Sequence, residues 1–221
     1  MSNFEMTGKA TSDFEQPNTG IVSAVCINVV DGRYIKNTYM GQDKGWARKI
    51  WILWEIEQRI TKGQFAGQHM VISKEYTFAV GEKANLRKDL EGWRGKKFEE
   101  RKNADGTISL LTEKKQDGKI VKIPFAVDML INANCLLYLE DVGKTKSFIK
   151  PTKIMRFEGN NHIAVKREIT PNYVPDWLQK IIEERPITNP ELNNQSNNNV
   201  SQNANVNNAI DTIIEEEEVP F

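Results

Sequence analysis

The sequence predicts a mainly β domain, a five-stranded barrel with one helix between its third and fourth strands, followed by a disordered C-terminal tail. Three observations predict this class. Five segments show the two-residue alternation or the short apolar run of a β-strand. One segment, between the third and fourth of them, has a helical period instead. From about Leu192 the chain becomes asparagine-rich, and such sequence buries too little apolar surface to fold.

The first three strands are predicted before residue 81. The first runs from Ile21 to Val30 and ends at the turn pair Asp31-Gly32. The second extends from about Arg48 to Gln58, and the third from His69 to Val80. The second strand alternates, so one face carries Ile50, Ile52, Trp54 and Ile56, and the other carries Lys49, Trp51, Leu53 and Glu55.

The helix is predicted over Glu82 to Trp93, where Leu86, Leu90 and Trp93 recur at the spacing i, i+4, i+7. Gly95 ends it. Residues 99–120 are charged and contain two Asp-Gly turn signals, which indicates a hairpin-like insertion.

Two more strands are predicted after the insertion, over Asn134 to Asp141 and over Lys146 to Phe157, with a turn at residues 142–144. A short helix over Pro175 to Glu184 closes the domain. The order strand, strand, strand, helix, strand, strand is the one expected of an OB-fold, a partly open five-stranded barrel.

Charge and composition together divide the chain into four parts. Residues 1–190 contain all 30 basic residues and 24 acidic ones, a net charge of +6, whereas residues 191–221 carry −6. We therefore predict a flexible leader (1–18), a single domain (19–190), a disordered asparagine-rich linker (191–208) and an acidic tip for protein interaction (209–221).

The cellular compartment is predicted from what the sequence contains. Cys26 and Cys135 lie in apolar runs and are expected to be buried free thiols in a reducing compartment. The N-terminus has no signal-peptide pattern, and no apolar run approaches the roughly 18 residues of a membrane span. We expect a cytosolic protein with no membrane partner.

A basic body with aromatic residues on its strands favours single-stranded nucleic acid as the ligand. Binding without sequence preference needs cations for the phosphates and aromatic faces on which bases stack. The candidates for DNA binding are Arg48, Lys49, Trp51, Lys74, Tyr76, Phe78, Arg87, Lys88, Arg94, Lys96, Lys97, Lys144, Lys146, Phe148 and Lys150. Lys153 lies on the same predicted hairpin as the last four.

Each aromatic candidate has a structural alternative, namely a place in the core. Trp54 shares a face with three isoleucines, and Trp93 completes the apolar stripe of the helix, so both are predicted to be core residues. For Trp51, Tyr76, Phe78 and Phe148, stacking and core packing both stay open at this point. RNA is an alternative ligand, because stacking does not distinguish it from DNA.

The end of the sequence carries the most specific motif. Four glutamates would repel one another in any compact state, and an aromatic residue follows them. Phe221 and its carboxylate could enter an apolar pocket flanked by a basic residue, and Pro220 restricts the backbone before it. The partner-binding candidates are therefore Glu215, Glu216, Glu217, Glu218, Val219, Pro220 and Phe221.

This motif resembles the acidic tip of bacterial single-stranded DNA-binding proteins, which end in several aspartates followed by Ile-Pro-Phe. Pro220 and Phe221 match outright, while the glutamates replace aspartates and Val219 replaces isoleucine. The stretch 82–96, with Gly92-Trp93-Arg94-Gly95-Lys96, is similar to a segment of phage-encoded OB-fold single-strand binders. Residues 99–122 are longer and more charged than that family's pattern. The resemblance implies work at a phage replication fork, in the host cytoplasm, with replication and recombination proteins as partners.

The acidic tail has a predicted effect on the body as well. A disordered segment of about 30 residues reaches about 30 Å, far enough to visit a basic groove. Deletion of residues 211–221 is therefore expected to tighten single-strand binding, most clearly at low salt. Equal affinity of the two forms at every salt concentration in a fluorescence titration would exclude this competition.

Enzymatic activity is not predicted. Gly143-Lys144-Thr145 resembles the end of a phosphate-binding loop, but Tyr138 stands where that motif requires glycine. Two histidines and two cysteines have no metal-ligand spacing, so neither a metal nor a cofactor is expected. The alternatives to a single-strand binder are a recombination mediator that anneals strands and a non-catalytic replisome adaptor. A homo-oligomer is compatible with all three.

Overall fold

The computed structural model describes residues 15–159 and 162–192. The predictions for most of the leader, for nearly all of the linker and for the acidic tip concern residues outside these ranges.

Two antiparallel sheets form the molecule. The strands and helices, in chain order, are β1 (Gly20–Tyr39), β2 (Gln42–Arg59), β3 (His69–Thr77), α1 (Asn85–Arg94), β4 (Glu99–Lys102), β5 (Ile108–Gln116), β6 (Lys119–Pro124), a 3-10 turn (Val127–Leu130), β7 (Asn134–Asp141), β8 (Ile149–Arg156) and α2 (Asp176–Glu183). The main sheet has the order β3-β2-β1-β7-β8, and the second sheet has the order β4-β5-β6. The mainly β class, the five strands and the helix after the third strand are confirmed.

The first strand is twice as long as predicted, because Asp31-Gly32 forms a bulge and not a chain reversal. The Arg33 N–H donates to Asp31 Oδ1 (3.0 Å), and Arg33 has a φ of 56°. A side chain at position 32 would lie 3.0 Å from Lys49 Cβ, which favours glycine there. β1 continues to a two-residue turn at Met40-Gly41, where both φ angles are positive (49° and 75°).

Strand β2 separates two apolar cores, of which its alternation predicts the one on the isoleucine face. Ile50, Ile52, Trp54 and Ile56 lie in the main core, together with the inward residues of α1 and β7. Trp93 packs beside Trp54, with ring centroids 6.1 Å apart. Leu53, on the other face of β2, lies in a second core with Leu178 and Ile182 of α2. The predictions of Trp54 and Trp93 as core residues are confirmed.

A polar network lies where the two edge strands of the main sheet approach each other. Lys74 on β3 donates to Asp89 Oδ2 of α1 (2.6 Å) and to the carbonyl of Thr152 on β8 (3.3 Å). The Tyr76 hydroxyl donates to the same Asp89 oxygen (2.8 Å). No ladder joins β3 to β8 in the described ranges, so the sheet is not closed as a barrel.

The insertion after α1 is larger than a hairpin. Three strands, β4, β5 and β6, form a sheet of their own. Helix α1 ends at Gly95, as predicted, in the left-handed conformation (φ 69°). Helix α2 also forms where its apolar stripe predicts it.

Cys26 and Cys135 are buried free thiols, as predicted. Burial raises the pKa of the Cys26 thiol to about 12. Within the described chain, no helix is long and apolar enough to cross a membrane.

Candidate nucleic-acid interface

The outer face of the β7–β8 hairpin carries two aromatic rings, each with a lysine over it. Phe148 is 50% exposed, and Lys150 Nζ lies 4.8 Å from its ring centroid. Tyr138 and Lys153 are paired across the two strands, with Nζ 5.9 Å from the ring centroid. We name these four residues the hairpin patch. Lys144 and Lys146 are exposed in the adjoining loop.

The loop that presents Phe148 is shaped by one carboxylate. Asp141 Oδ1 accepts hydrogen bonds from the backbone N–H groups of Phe148 and Gly143, each at 2.9 Å. These bonds hold the pKa of Asp141 below its usual value, so the carboxylate is ionised at neutral pH and keeps the loop conformation. The sequence therefore fixes the backbone position of Phe148 through the residue that ends β7.

A second exposed group lies where strand β3 ends beside the middle of strand β2. Arg48 pairs with Asp31 (2.7 Å), and its guanidinium carbon lies 5.5 Å from the centroid of Phe78, which is 41% exposed. Lys49 Nζ donates to Thr77 Oγ1 (2.8 Å). Phe78 also forms a wall of an apolar groove of about 460 Å³ between α1 and the second sheet. The hydrogen bond from Arg48 holds the pKa of Asp31 below its usual value.

Trp51 is not an open stacking surface in this structure. It is half-buried on the outer face of β2, and Trp177 of α2 packs against it edge-on, with ring centroids 5.3 Å apart. The same part of the chain covers Leu53 and Val25. Periodicity predicts the face of Trp51 correctly, but it does not predict that a later helix covers this face.

Three further candidates are used inside the fold. Tyr76 is 3% exposed and offers no ring face to a base. Its partner Lys74 is half-buried in the network with Asp89. Arg87 is buried, where it donates to Glu91, Glu100 and the carbonyl of Val80. For these residues the prediction of an exposed binding side chain is wrong, because carboxylates of α1 and β4 bind their polar groups.

The remaining candidates surround the end of α1. Lys88 and Lys97 are exposed, and Lys96 pairs with Glu113 of β5 (3.1 Å). The Arg94 guanidinium stacks over the ring of Phe98 at 4.0 Å. No salt bridge joins this group to the hairpin patch among the described residues.

Tyr138 is a site residue that the sequence analysis did not select. It is half-buried between Leu137 and Leu139, which are both fully buried, and its place on the outer face follows from the same alternation that was used for β2. Applying that rule to β7 would have found it.

In the described ranges, no three His, Cys, Asp or Glu side chains are grouped so as to hold a metal ion. The candidate partner-binding residues Glu215 to Phe221 lie outside those ranges. No protein-family model, no curated protein and no solved structure matches the chain.

Proposed function

We propose that this protein binds single-stranded DNA without sequence preference, through a domain of the OB-fold type. The observation that carries the proposal is the hairpin patch, in which an exposed ring (Phe148) and a half-buried ring (Tyr138) each lie under a lysine. Within the described residues, Lys144, Lys146, Lys150 and Lys153 form no salt bridge, unlike Arg48, Lys74, Arg87 and Lys96. Their charge is therefore available to phosphates.

The connectivity of the main sheet supports the OB-fold part of the proposal. Its strands follow the order third, second, first, fourth, fifth, and α1 lies between the third and fourth. An OB-fold has its helix at this place and is partly open. The second sheet is then an insertion between the helix and the fourth strand.

The hairpin patch suits single strands better than duplexes. The rings of Phe148 and Tyr138 need unpaired bases, whose faces are open for stacking. Stacking tolerates every base, so sequence preference is not expected. Because the lysines contribute through counterion release, the affinity is expected to fall as salt rises.

Replacing Phe148 with alanine is expected to weaken single-strand binding by about 1–2 kcal/mol, close to tenfold, since one stacking surface is lost. The measurement is a fluorescence titration with labelled poly-dT. Phe65→Ala is the matched control, because Phe65 is 51% exposed on another loop and has no lysine over its ring among the described residues. Equal affinities of the Phe148 variant and the wild type would remove the hairpin patch from the binding site.

Partner recruitment is the second part of the proposal. The acidic tip, Glu215 to Phe221, would dock replication and recombination proteins at a phage replication fork, while the domain holds the strand. The similarity of this tip to that of bacterial single-strand binders supports this part.

A further inference from the structure

The second sheet forms a cleft with the end of α1. Helix α1 ends with Arg94, and Lys96 and Lys97 follow it. Facing them from the sheet are Lys122, Glu99 and Glu113. The cleft has a volume of about 50 Å³, and Leu111 and Thr112 complete its lining. We name it the helix-end cleft.

Strand register determines which side chains enter the cleft. Glu113 lies opposite Lys122, and Glu99 lies opposite Leu111, so these four share one face of the second sheet. Lys114 and Lys119 belong to the other face, because side chains alternate along each strand. The strand register therefore determines that Lys122, Glu99 and Glu113 face the cations at the end of α1.

The cleft has more positive than negative charge. Four cations meet two carboxylates, and the carboxylates are engaged with Lys96 (Glu113, 3.1 Å) and with Lys122 (Glu99). No salt bridge involves Arg94 or Lys97 in the described ranges. The pKa of Glu113 is held below its usual value by the hydrogen bond from Lys96 first, and also by the charges of Lys122 and Arg94.

Arg94 lines the cleft and forms no salt bridge with a carboxylate among the described residues. Its guanidinium stacks on Phe98 at 4.0 Å, and burial lowers its pKa, while the nearby carboxylates of Glu113 and Glu91 act in the opposite direction. A planar guanidinium fixed in this way presents a fork of donors that matches phosphate oxygens.

We infer that the helix-end cleft binds a phosphate of the single-stranded nucleic-acid backbone, with Arg94 and Lys97 as its permanent cations. Glu113 and Glu99 hold Lys96 and Lys122 extended in the free protein, and both lysines turn to the phosphate when the strand arrives. The second sheet thus lengthens the path of the strand beyond the hairpin patch. This inference rests on the proposed function.

The test compares two double variants, each of which removes two lysine charges. One pair of lysines lies in the helix-end cleft, and the other pair lies on the opposite face of the second sheet. Lys96→Gln with Lys122→Gln empties the cleft of two cations, and Lys114→Gln with Lys119→Gln is the control. All four side chains are exposed, and exposed ion pairs contribute little to stability, so both variants are expected to fold. Equal thermal midpoints would establish this.

Poly-dT titrations at several salt concentrations are the readout. For single strands, the slope of log K against log salt changes by about 0.7 per neutralised phosphate, so the cleft variant, which loses one phosphate contact, should lose about 0.7 from its slope. The control should keep the wild-type slope. Glu113→Gln, which releases Lys96, should bind more tightly than the wild type.

The outcomes separate the two proposals. Binding by the wild type with an unchanged slope in the cleft variant, or an equal change in the control, would overturn the cleft and leave the proposed function intact. A wild-type protein that does not bind poly-dT would overturn both.

Discussion

Replacing Glu55 with alanine is expected to lower the free energy of unfolding by about 4 kcal/mol, because two partly buried backbone N–H groups lose a charged acceptor. Glu55 is 1% exposed on the outer face of β2. Its carboxylate accepts the N–H groups of Glu168 (2.9 Å) and Ile169 (3.1 Å). It therefore holds the irregular segment that leads to α2 against the sheet.

Urea unfolding, followed by tryptophan fluorescence, measures this effect. Glu57→Ala is the matched control, since Glu57 lies on the same face of β2 but is exposed, and its variant should stay within about 0.5 kcal/mol of the wild type. Glu55→Gln keeps one acceptor oxygen and should fall between the two. If Glu55→Ala were as stable as Glu57→Ala, the segment after β8 would not depend on this clamp.

Replacing Gly92 with alanine is expected to destabilise the domain by about 2–3 kcal/mol, although alanine favours helices by about 1 kcal/mol over glycine. An added Cβ would lie 2.5 Å from the carbonyl oxygen of Ile154 on β8. A backbone atom cannot turn away as a side chain can, so α1 would have to move off the sheet. Leu86, Leu90 and Trp93 would then lose packing in the main core.

Thermal unfolding separates the two opposing effects. Gly81→Ala is the control, because a Cβ there meets no atom within 4 Å, and its variant should unfold near the wild-type temperature. A Gly92→Ala protein that is more stable than the wild type would show that helix propensity outweighs the contact with Ile154.

The inward face of the sheet is the part of the fold that follows most directly from the sequence. The isoleucines and Trp54 of β2, and the stripe of α1, have only one apolar partner surface each, so their period determines the core. β7 is also found at its predicted bounds. The local pattern of apolar residues is enough to predict a strand or helix when one of its faces is entirely apolar.

The sequence-based predictions fail where contacts with other segments determine the course of a strand or the position of a side chain. Asp31-Gly32 has the sequence of a turn, but pairing with β2 continues through a bulge on both sides of it. The positions of Lys74 and Tyr76 depend on Asp89, which enters the sheet edge from another element. An exposed lysine and a lysine in a buried ion pair have the same sequence signal.

The covering of the β1–β2–β3 face also depends on distant contacts. Asn28 on β1 donates to the carbonyl of Tyr173 (3.0 Å), and Arg185 pairs with Glu75 on β3 (2.8 Å). Each joins residues more than 100 positions apart, so no local rule predicts them. Because α2 and the segment before it cover this face, Phe148 and Tyr138 of the hairpin patch become the central stacking candidates.

The most direct test of single-strand binding is the titration of the intact protein with labelled poly-dT and with a duplex of matched length, each at two salt concentrations. We expect a preference for the single strand and an affinity that falls with salt, because stacking and counterion release act together. Equal binding to both nucleic acids, or binding to neither, would contradict it.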